Sequence, residues 1–348
     1  MYGFIYVLTI MLIIDNRIIP SRLFPLFWFT VMVFLSLSIR WTMIQSGQAL
    51  GDGDLSGYVF NMGRADATSY HLREPIFWFG TRYLYKVIGN PGLVFVVTDV
   101  ILFLTFYKSV SLFQTFFPKQ INFYNVKYLY FGAFLIYPYL TGMHNHYRQI
   151  LAVTSAMCAF GLAEKKLGKA LFVYLISVLT HNATILLSPI LLLAHKRNTF
   201  SYLMVAAVLT IIFFLFAPSV YFYEVIRRFF EVGMRDVFDT RTGIYFYLLL
   251  FTTFFVIFLE YNFKGKVQYL FIKVVISLTA IYFFSYWFFP SQGASRVFFM
   301  ALTLLYSLIG LYIEVKFKSG RLVRLFYFHL SLVPLLGLRG DGLIYDFG

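Results

Sequence analysis

Long apolar runs separated by short, mostly basic connections constrain this chain more than any other feature. A helix needs ~20 mostly apolar residues to cross the hydrocarbon layer, fewer where the bilayer thins. Runs of that kind occupy 2–14, 23–44, 91–112, 128–143, 149–164, 200–217, 244–262, 268–289, 297–315 and 325–338. Hydrophobic residues make up 60% of the chain and charged residues 13%, against roughly 45–50% and 25% in soluble domains. The expectation is an all-α polytopic integral membrane protein with about 10 transmembrane helices. Residues 1–348 then form a single transmembrane domain rather than several soluble ones.

The opening MYGFIYVLTIMLII has neither a basic n-region nor a small-residue cleavage site, so it reads as a short first helix that is kept. Cys158, the single cysteine, lies inside an apolar run. No internal disulfide forms, and the redox compartment stays unread. A net charge of +14 fits connections that face anionic lipid on the cytoplasmic side, and no nucleic-acid partner is expected.

The connections alternate in character. Arg17 and Arg22, Lys119 and Lys127, Lys165 to Lys169, Lys196 and Arg197, Lys264 and Lys266, and Lys316 to Arg324 mark one side. The positive-inside rule makes that side cytoplasmic and puts both termini outside. The run ALFVYLISVLTHNATILLSPILLLA, 170–194, carries basic residues at both ends. If both ends are cytoplasmic, it enters and returns as a re-entrant helix pair with Thr180, His181 and Asn182 at the turn. Irregular backbone at that depth is tolerated only when buried in protein or lining a wet cavity. The alternative is one long tilted helix with inverted topology downstream.

Lysine and arginine part company on the outer side. Of the lysines only Lys86 falls there, whereas Arg40, Arg64, Arg73, Arg82, Arg148, Arg227, Arg228 and Arg296 are among the arginines that do. Arginine suits forked contacts with phosphate and carboxylate, so this outer face reads as selected for oxyanions. Pairing with local carboxylates is the competing explanation.

Two outer connections are long. The first, 45–90, carries Asp52, Asp54 and Asp66 on a Gly-rich stretch, with Tyr58 four residues past Asp54. These carboxylates suit orientation of a sugar hydroxyl or general-base work, although Asp-Gly turns explain any one of them as well. The D-x-D spacing is a weak sign of a metal-nucleotide site, since nucleotide sugars lie across the membrane. The segment IFWFGTRYLYKVIG then reads as an interfacial amphipathic helix, with Thr81, Arg82, Tyr85 and Lys86 on a face toward lipid phosphate. The second, 218–243, places Glu224, Arg227, Arg228, Glu231 and Arg235 on one helical stripe. Ion pairing along that stripe is an equally good explanation.

Within the spans, Asp99 is a functional candidate because intramembrane ionisable residues usually are. Arg296 opens a span at the outer boundary, where it either meets substrate or snorkels to headgroups. The stretch GMHNHYRQILAV places His144, His146, Arg148 and Gln149 at the same boundary. With His181 approaching from below, these residues outline an outward-opening cavity.

Three passages carry a family resemblance: GDGDLSGY followed by REPIFWFGTRYLYKVIG, then YRQILAVTSAMCAFGLAEKK, then YLISVLTHNATILLSPILLL. Over roughly residues 45–300 the chain resembles the EpsG-like group of Wzy-type polysaccharide polymerases. The family's Arg-Gln at a helix start, with a His some thirty residues on, matches Arg148, Gln149 and His181. The chain has His181-Asn182 where the family often carries His-x-Ser, which keeps the histidine and puts a hydroxyl role there in doubt. A late arginine opening a span matches Arg296.

The resemblance implies a GT-C-like fold and polymerisation of O-antigen or exopolysaccharide repeat units carried on undecaprenyl pyrophosphate. The reaction would occur at the outer face of the bacterial cytoplasmic membrane, in lipopolysaccharide or exopolysaccharide biosynthesis. Implied partners are the lipid-linked repeat units, membrane lipid, a chain-length regulator and a flippase. An acceptor hydroxyl attacks the anomeric carbon, with His181, His144, Asp52 and Asp54 as base candidates. Arg148, Gln149, Arg73, Arg82, Arg227, Arg228, Arg296 and Tyr58 are candidates for holding the substrate and its pyrophosphate. No nucleotide loop or strong metal-ligand spacing occurs, so no metal or cofactor is assigned. A lipid-linked oligosaccharide flippase is the rival from another class, although no internal repeat of the transporter kind is evident. An O-antigen ligase is the rival enzyme, with an acyltransferase further off.

Overall fold

The computed structural model describes residues 1–49, 54–64, 69–72, 74–113, 117, 126–194, 250, 252–258, 269–288, 291–317 and 320–336. Asp52, Asp66, Arg73, Arg227 and Arg228 lie outside them, as do the 200–217 span and the 218–243 connection. Every element among the described residues is helical. The first six are α1 (Tyr2–Ile14), α2 (Phe24–Ser46), α3 (Asp54–Gly63), α4 (Ser69–Leu72), α5 (Pro75–Ile88) and α6 (Pro91–Phe113). A broken segment follows: α7 (Lys127–Gly132), a 3-10 turn (Ala133–Leu135) and α8 (Tyr137–His144). Then come α9 (Tyr147–Ala163), α10 (Leu167–Thr180), a 3-10 stretch (Asn182–Leu187) and α11 (Ser188–Ala194). Residues 252–258 are helical, and α12 (Tyr269–Phe288), α13 (Ser291–Lys316) and α14 (Arg321–Leu336) complete the described chain.

Among the described residues, three stretches are long and apolar enough to cross a membrane: Phe24–Ser46, Pro91–Phe113 and Arg296–Lys316. The chain is thus an all-α protein whose apolar helices mark it as a membrane protein. Leu26, Phe34, Leu104, Phe172 and Phe326 are exposed large apolar side chains, which suits helices that face lipid rather than water.

Local chemistry sets several boundaries. Proline stands near the start of α2 and α5, where its missing N–H removes no helical bond. Each of these helices is closed by a glycine at positive φ, Gly47 at 68° and Gly89 at 73°, the left-handed position that glycine fills without strain. The expected single span over 128–143 is instead three short pieces. Ile136 is extended and Pro138 sits in the first turn of α8, and proline inside one continuous helix would clash with the preceding turn.

The expected break within 170–194 is present. His181 is extended (φ −152°, ψ 114°) between α10 and the 3-10 stretch. The Tyr174 hydroxyl donates to the Thr184 carbonyl at 2.6 Å, whereas a continuous helix would carry those residues ~15 Å apart along its axis. The chain therefore folds back on α10 after His181.

α9 is central, packed against α6, α8, α10, α11 and α13. Its approach to α6 is close enough that a Cβ on Gly161 would meet Leu112 at 2.4 Å. A Cβ on Gly92 would likewise meet the Ile44 backbone at 2.6 Å where α2 and α6 converge. Small residues at such crossings let helices in lipid approach closely. One end of the bundle gathers the start of α1 and the α8–α9 corner, joined by Tyr2 and His144 at 3.4 Å. Asn90, before α6, reaches the Ile44 carbonyl of α2 at the same end. At the other end of α1, Lys127 donates to the carbonyls of Asn16 and Ile19.

Candidate functional site

The α8–α9 corner carries two buried ionic clusters. In the first, Asp99 of α6 receives the Ser36 hydroxyl at 2.6 Å, Arg40 Nε at 3.1 Å and the Tyr147 hydroxyl at 2.7 Å. Arg40 Nη2 also reaches Asp99 at 3.3 Å and donates to the Met143 carbonyl at 2.7 Å. The guanidinium stacks over Phe95 and Tyr147. Arg40, expected near the outer end of the 23–44 span among the arginines facing oxyanions, is instead spent inside the bundle. It lies inside α2 with 1% of its surface exposed. Asp99, a candidate for function by its position, is a fully bonded strut between α2, α6 and α9.

The second cluster is built around Glu74, which sequence reading passed over. Glu74 precedes Pro75, and its side chain does not cap α5. One carboxylate oxygen meets Arg148 Nη1 and the other meets His181 Nδ1. All three side chains are nearly excluded from solvent. Arg148, in the first turn of α9, also donates from Nε to the Tyr58 hydroxyl at 3.3 Å and lies over the rings of Tyr58 and Trp78. Tyr58 in turn donates to Asp54 at 3.3 Å. His181 reaches Glu74 because α10 ends there. Its N–H closes the last turn onto Ser177, and Thr184 Oγ1 donates to its carbonyl.

Burial would push the Glu74 carboxyl up, but the hydrogen bond from His181, together with the charge of Arg148, holds it below its ordinary value of 4.5. An ionised carboxylate only accepts hydrogen bonds, so His181 Nδ1 carries the proton toward it. His181 Nε2 is then the basic end of the ring. Among the described residues Nε2 is buried without a hydrogen-bond partner, as is Gln149 Oε1, one position after Arg148 on α9.

His146 belongs to the same corner. Its Nδ1 lies 3.8 Å from Asp54 Oδ2, and its ring meets Phe299 of α13 edge-on. Burial first, then the charges of Arg296, His181 and Arg148, pushes His146 down to about 4 against the pull of Asp54. It is neutral at neutral pH. Arg296, near the start of α13, thus lies within electrostatic reach of the corner.

The sequence-derived candidates therefore separate. Tyr58, Asp54, Arg148, Gln149, His181 and Arg296 converge on this corner. His144 instead faces α1 through Tyr2, because it ends α8 whereas His146 follows the turn. Asp54 does not sit on a flexible connection but opens α3. Arg82 is buried, donating to the Asn61 carbonyl at 3.0 Å and lying 3.2 Å from His71 Nε2. The burial of α5 cuts across the expected faces: Trp78 turns inward although Phe79 does not, and Thr81 and Arg82 turn inward although Lys86 stays exposed. Thr81 and Arg82 turn inward with Phe77 and Trp78, while Ile76, Phe79, Tyr83 and Val87 are exposed. Arg82 spends its donors inside the protein, so the lipid side of α5 is its apolar stripe. Glu74 and Trp78 were unassigned by sequence reading, and His146 was noticed without a role. The signal for Glu74 was faint: a scarce carboxylate in a basic chain, inside one of the passages that carry the family resemblance.

Comparison with family models, curated proteins and solved structures gave no match. The chemistry of this corner therefore rests on its own residues. A buried carboxylate orients a histidine whose far nitrogen is open, beside a guanidinium that balances the carboxylate. That arrangement can accept a proton from a bound hydroxyl.

Proposed function

We propose that the chain is a membrane glycosyltransferase of the polysaccharide-polymerase type. It extends a glycan held on undecaprenyl pyrophosphate, at the outer face of the bacterial cytoplasmic membrane. The observation that carries this reading is the buried Glu74–His181 pair with Nε2 open, beside Arg148. The resemblance singled out Arg148 and His181 from distant parts of the sequence, and both meet the same carboxylate.

In the proposed step, His181 Nε2 takes the proton of an acceptor hydroxyl on the incoming lipid-linked unit. The acceptor oxygen bonds to the anomeric carbon of the donor glycan, and the bond to the lipid pyrophosphate breaks. Glu74 stabilises the imidazolium that forms, and Arg148 keeps the carboxylate in place. Developing charge on the pyrophosphate is met by a cation outside the Glu74 cluster, with Arg296, whose charge is felt at His146 and His181, the candidate. No GT-C relationship is needed for this chemistry.

The test is reconstitution of the purified protein with lipid-linked repeat units. Growth of the chain supports the proposal. Transfer to lipid A core would mean a ligase, and relocation without new bonds would mean a flippase. Either of these, or no reaction, overturns it.

A further inference from the structure

Glu74 and Trp78 stand one helical turn apart at the start of α5, with the Trp78 backbone N–H donating to the Glu74 carbonyl at 3.2 Å. Both meet Arg148, in different ways. Glu74 accepts from Nη1, while the guanidinium carbon lies 5.0 Å from the centre of the Trp78 ring. Tyr58 of α3 adds a second ring at 5.3 Å and accepts from Nε at 3.3 Å. The two rings touch each other, with centroids 5.7 Å apart and planes at 66°. Both are buried, and the His71 ring packs edge-on to Trp78 at 5.2 Å. An aromatic face attracts a guanidinium through its quadrupole, most strongly where water is excluded. Arg148 is thus held by one carboxylate and two rings.

The charge count of the cluster depends on that grip. A buried carboxylate needs a balancing cation, and Arg148 and His181 both touch Glu74. With Arg148 in place, His181 is left neutral, donating from Nδ1 and keeping the lone pair of Nε2. With Arg148 displaced, the carboxylate draws its counter-charge from His181, and Nε2 takes up a proton. The other charged or titratable groups felt at His181 among the described residues are Arg296 of α13 and His146 of the α8–α9 corner. Both are present with or without the grip on Arg148, so they do not alter the comparison.

We propose that Trp78 is a positioning residue: with Tyr58 it clamps Arg148 as the counter-charge of Glu74, so that His181 stays uncharged and able to accept a proton. The clamp deepens the polymerase reading, on which its use in chain growth rests. The charge on His181 can be measured without any substrate.

The test follows the His181 ring in the purified full chain, held in nanodiscs at neutral pH. Nitrogen-labelled histidine gives separate magnetic-resonance signals for bare and protonated ring nitrogens, and the His181→Ala variant identifies those of His181. Wild type should show one bare and one protonated nitrogen. Trp78→Leu should move the balance toward the doubly protonated ring roughly tenfold, the loss of one desolvated cation–aromatic contact. Trp78→Phe, which keeps a ring face, should stay near wild type. Chain growth by Trp78→Leu should fall at neutral pH and recover as the pH rises, because the imidazolium then loses its extra proton. A loss caused by packing alone would persist at every pH. The unfolding temperature reports whether each variant folds. Should Trp78→Leu fail to fold, difluorotryptophan replaces tryptophan throughout the chain, keeping the ring's shape while weakening its face. The doubly protonated fraction should again rise.

The inference is overturned if wild-type His181 already carries two ring protons at neutral pH. It is also overturned if the folded Trp78→Leu or difluorotryptophan protein keeps the wild-type ring signals, or if Trp78→Phe behaves like Trp78→Leu. A pH-independent loss of chain growth in Trp78→Leu would have the same meaning. The expected ring signals without chain growth by the wild type would remove the polymerase reading and leave the clamp standing. Chain growth by the wild type with His181 unaltered in Trp78→Leu would remove the clamp alone.

Discussion

Tyr147 and Arg148 are neighbours in sequence, yet their side chains close two buried ionic clusters of opposite character. Asp99 is saturated: both its oxygens accept from Ser36, Arg40 or Tyr147, and Arg40 is itself tied to the Met143 carbonyl. Glu74 is also paired on both oxygens, but its histidine partner ends in a ring nitrogen that has no hydrogen-bond partner among the described residues. A closed cluster holds helices in register. A cluster closed on one side only is poised for something that arrives. Burial and charge do not separate these cases in a membrane protein, whereas the unspent hydrogen-bonding capacity does.

The largest expected effect tests the closed cluster. Asp99→Ala leaves Arg40 buried without its carboxylate, which costs ~3–5 kcal/mol. Little folded protein should reach the membrane, as read by membrane-fraction yield and unfolding temperature. Replacing both partners, Arg40→Met with Asp99→Leu, should restore much of the yield. Normal folding of Asp99→Ala would break the comparison on its structural side.

Glu74→Gln should separate the two roles. Chain growth per folded molecule should fall on the order of 100-fold, because the amide no longer fixes the His181 tautomer. Acid titration of stability gives the matching physical test. The Glu74 carboxyl is held below 4.5, so its stabilisation is complete above that pH and is lost as the pH falls through the lowered value. Glu74→Gln should flatten that acid decline, measured as unfolding temperature against pH.

Arg148→Lys keeps a cation beside Glu74 but loses the donation to Tyr58 and the stack over Trp78. A loss of ~1–2 kcal/mol, or roughly tenfold in rate, should appear as shorter glycan from normally inserted protein. Arg148 that only anchored the helix to headgroups would give full-length polymer. Tyr58→Phe is the smallest change. It removes the contacts with the Arg148 guanidinium and the Asp54 carboxylate, both long at 3.3 Å, and should cost about 1 kcal/mol of stability, with chain growth nearly unchanged.

Much of the helical layout was legible because its causes are local. Pro75 and Gly89 bracket α5, Gly47 closes α2, and the basic flanks of 170–194 pointed to the break at His181. The polar partners of Asp99 were not legible. Ser36, Arg40 and Tyr147 come from two other helices, and no periodicity within α6 names them. The inward side of α5 was not legible, since apolar residues in a membrane protein face lipid as readily as core, and Trp78 turns inward while Phe79 turns outward. Glu74 was hidden by its position. An acidic residue before a proline-led helix reads as ordinary helix-start charge, and only the fold-back at His181 gives it a second partner.

His181 decides the central claim. Proteoliposomes holding equal amounts of folded wild-type and His181→Ala protein are supplied with lipid-linked repeat units, and glycan length is measured over time. Wild type should elongate the glycan, while His181→Ala should fold with an unfolding temperature within a few degrees of wild type and stop near a single repeat, a rate loss of roughly 100- to 10,000-fold. Full-length polymer from His181→Ala would contradict the assignment of the open histidine as the base.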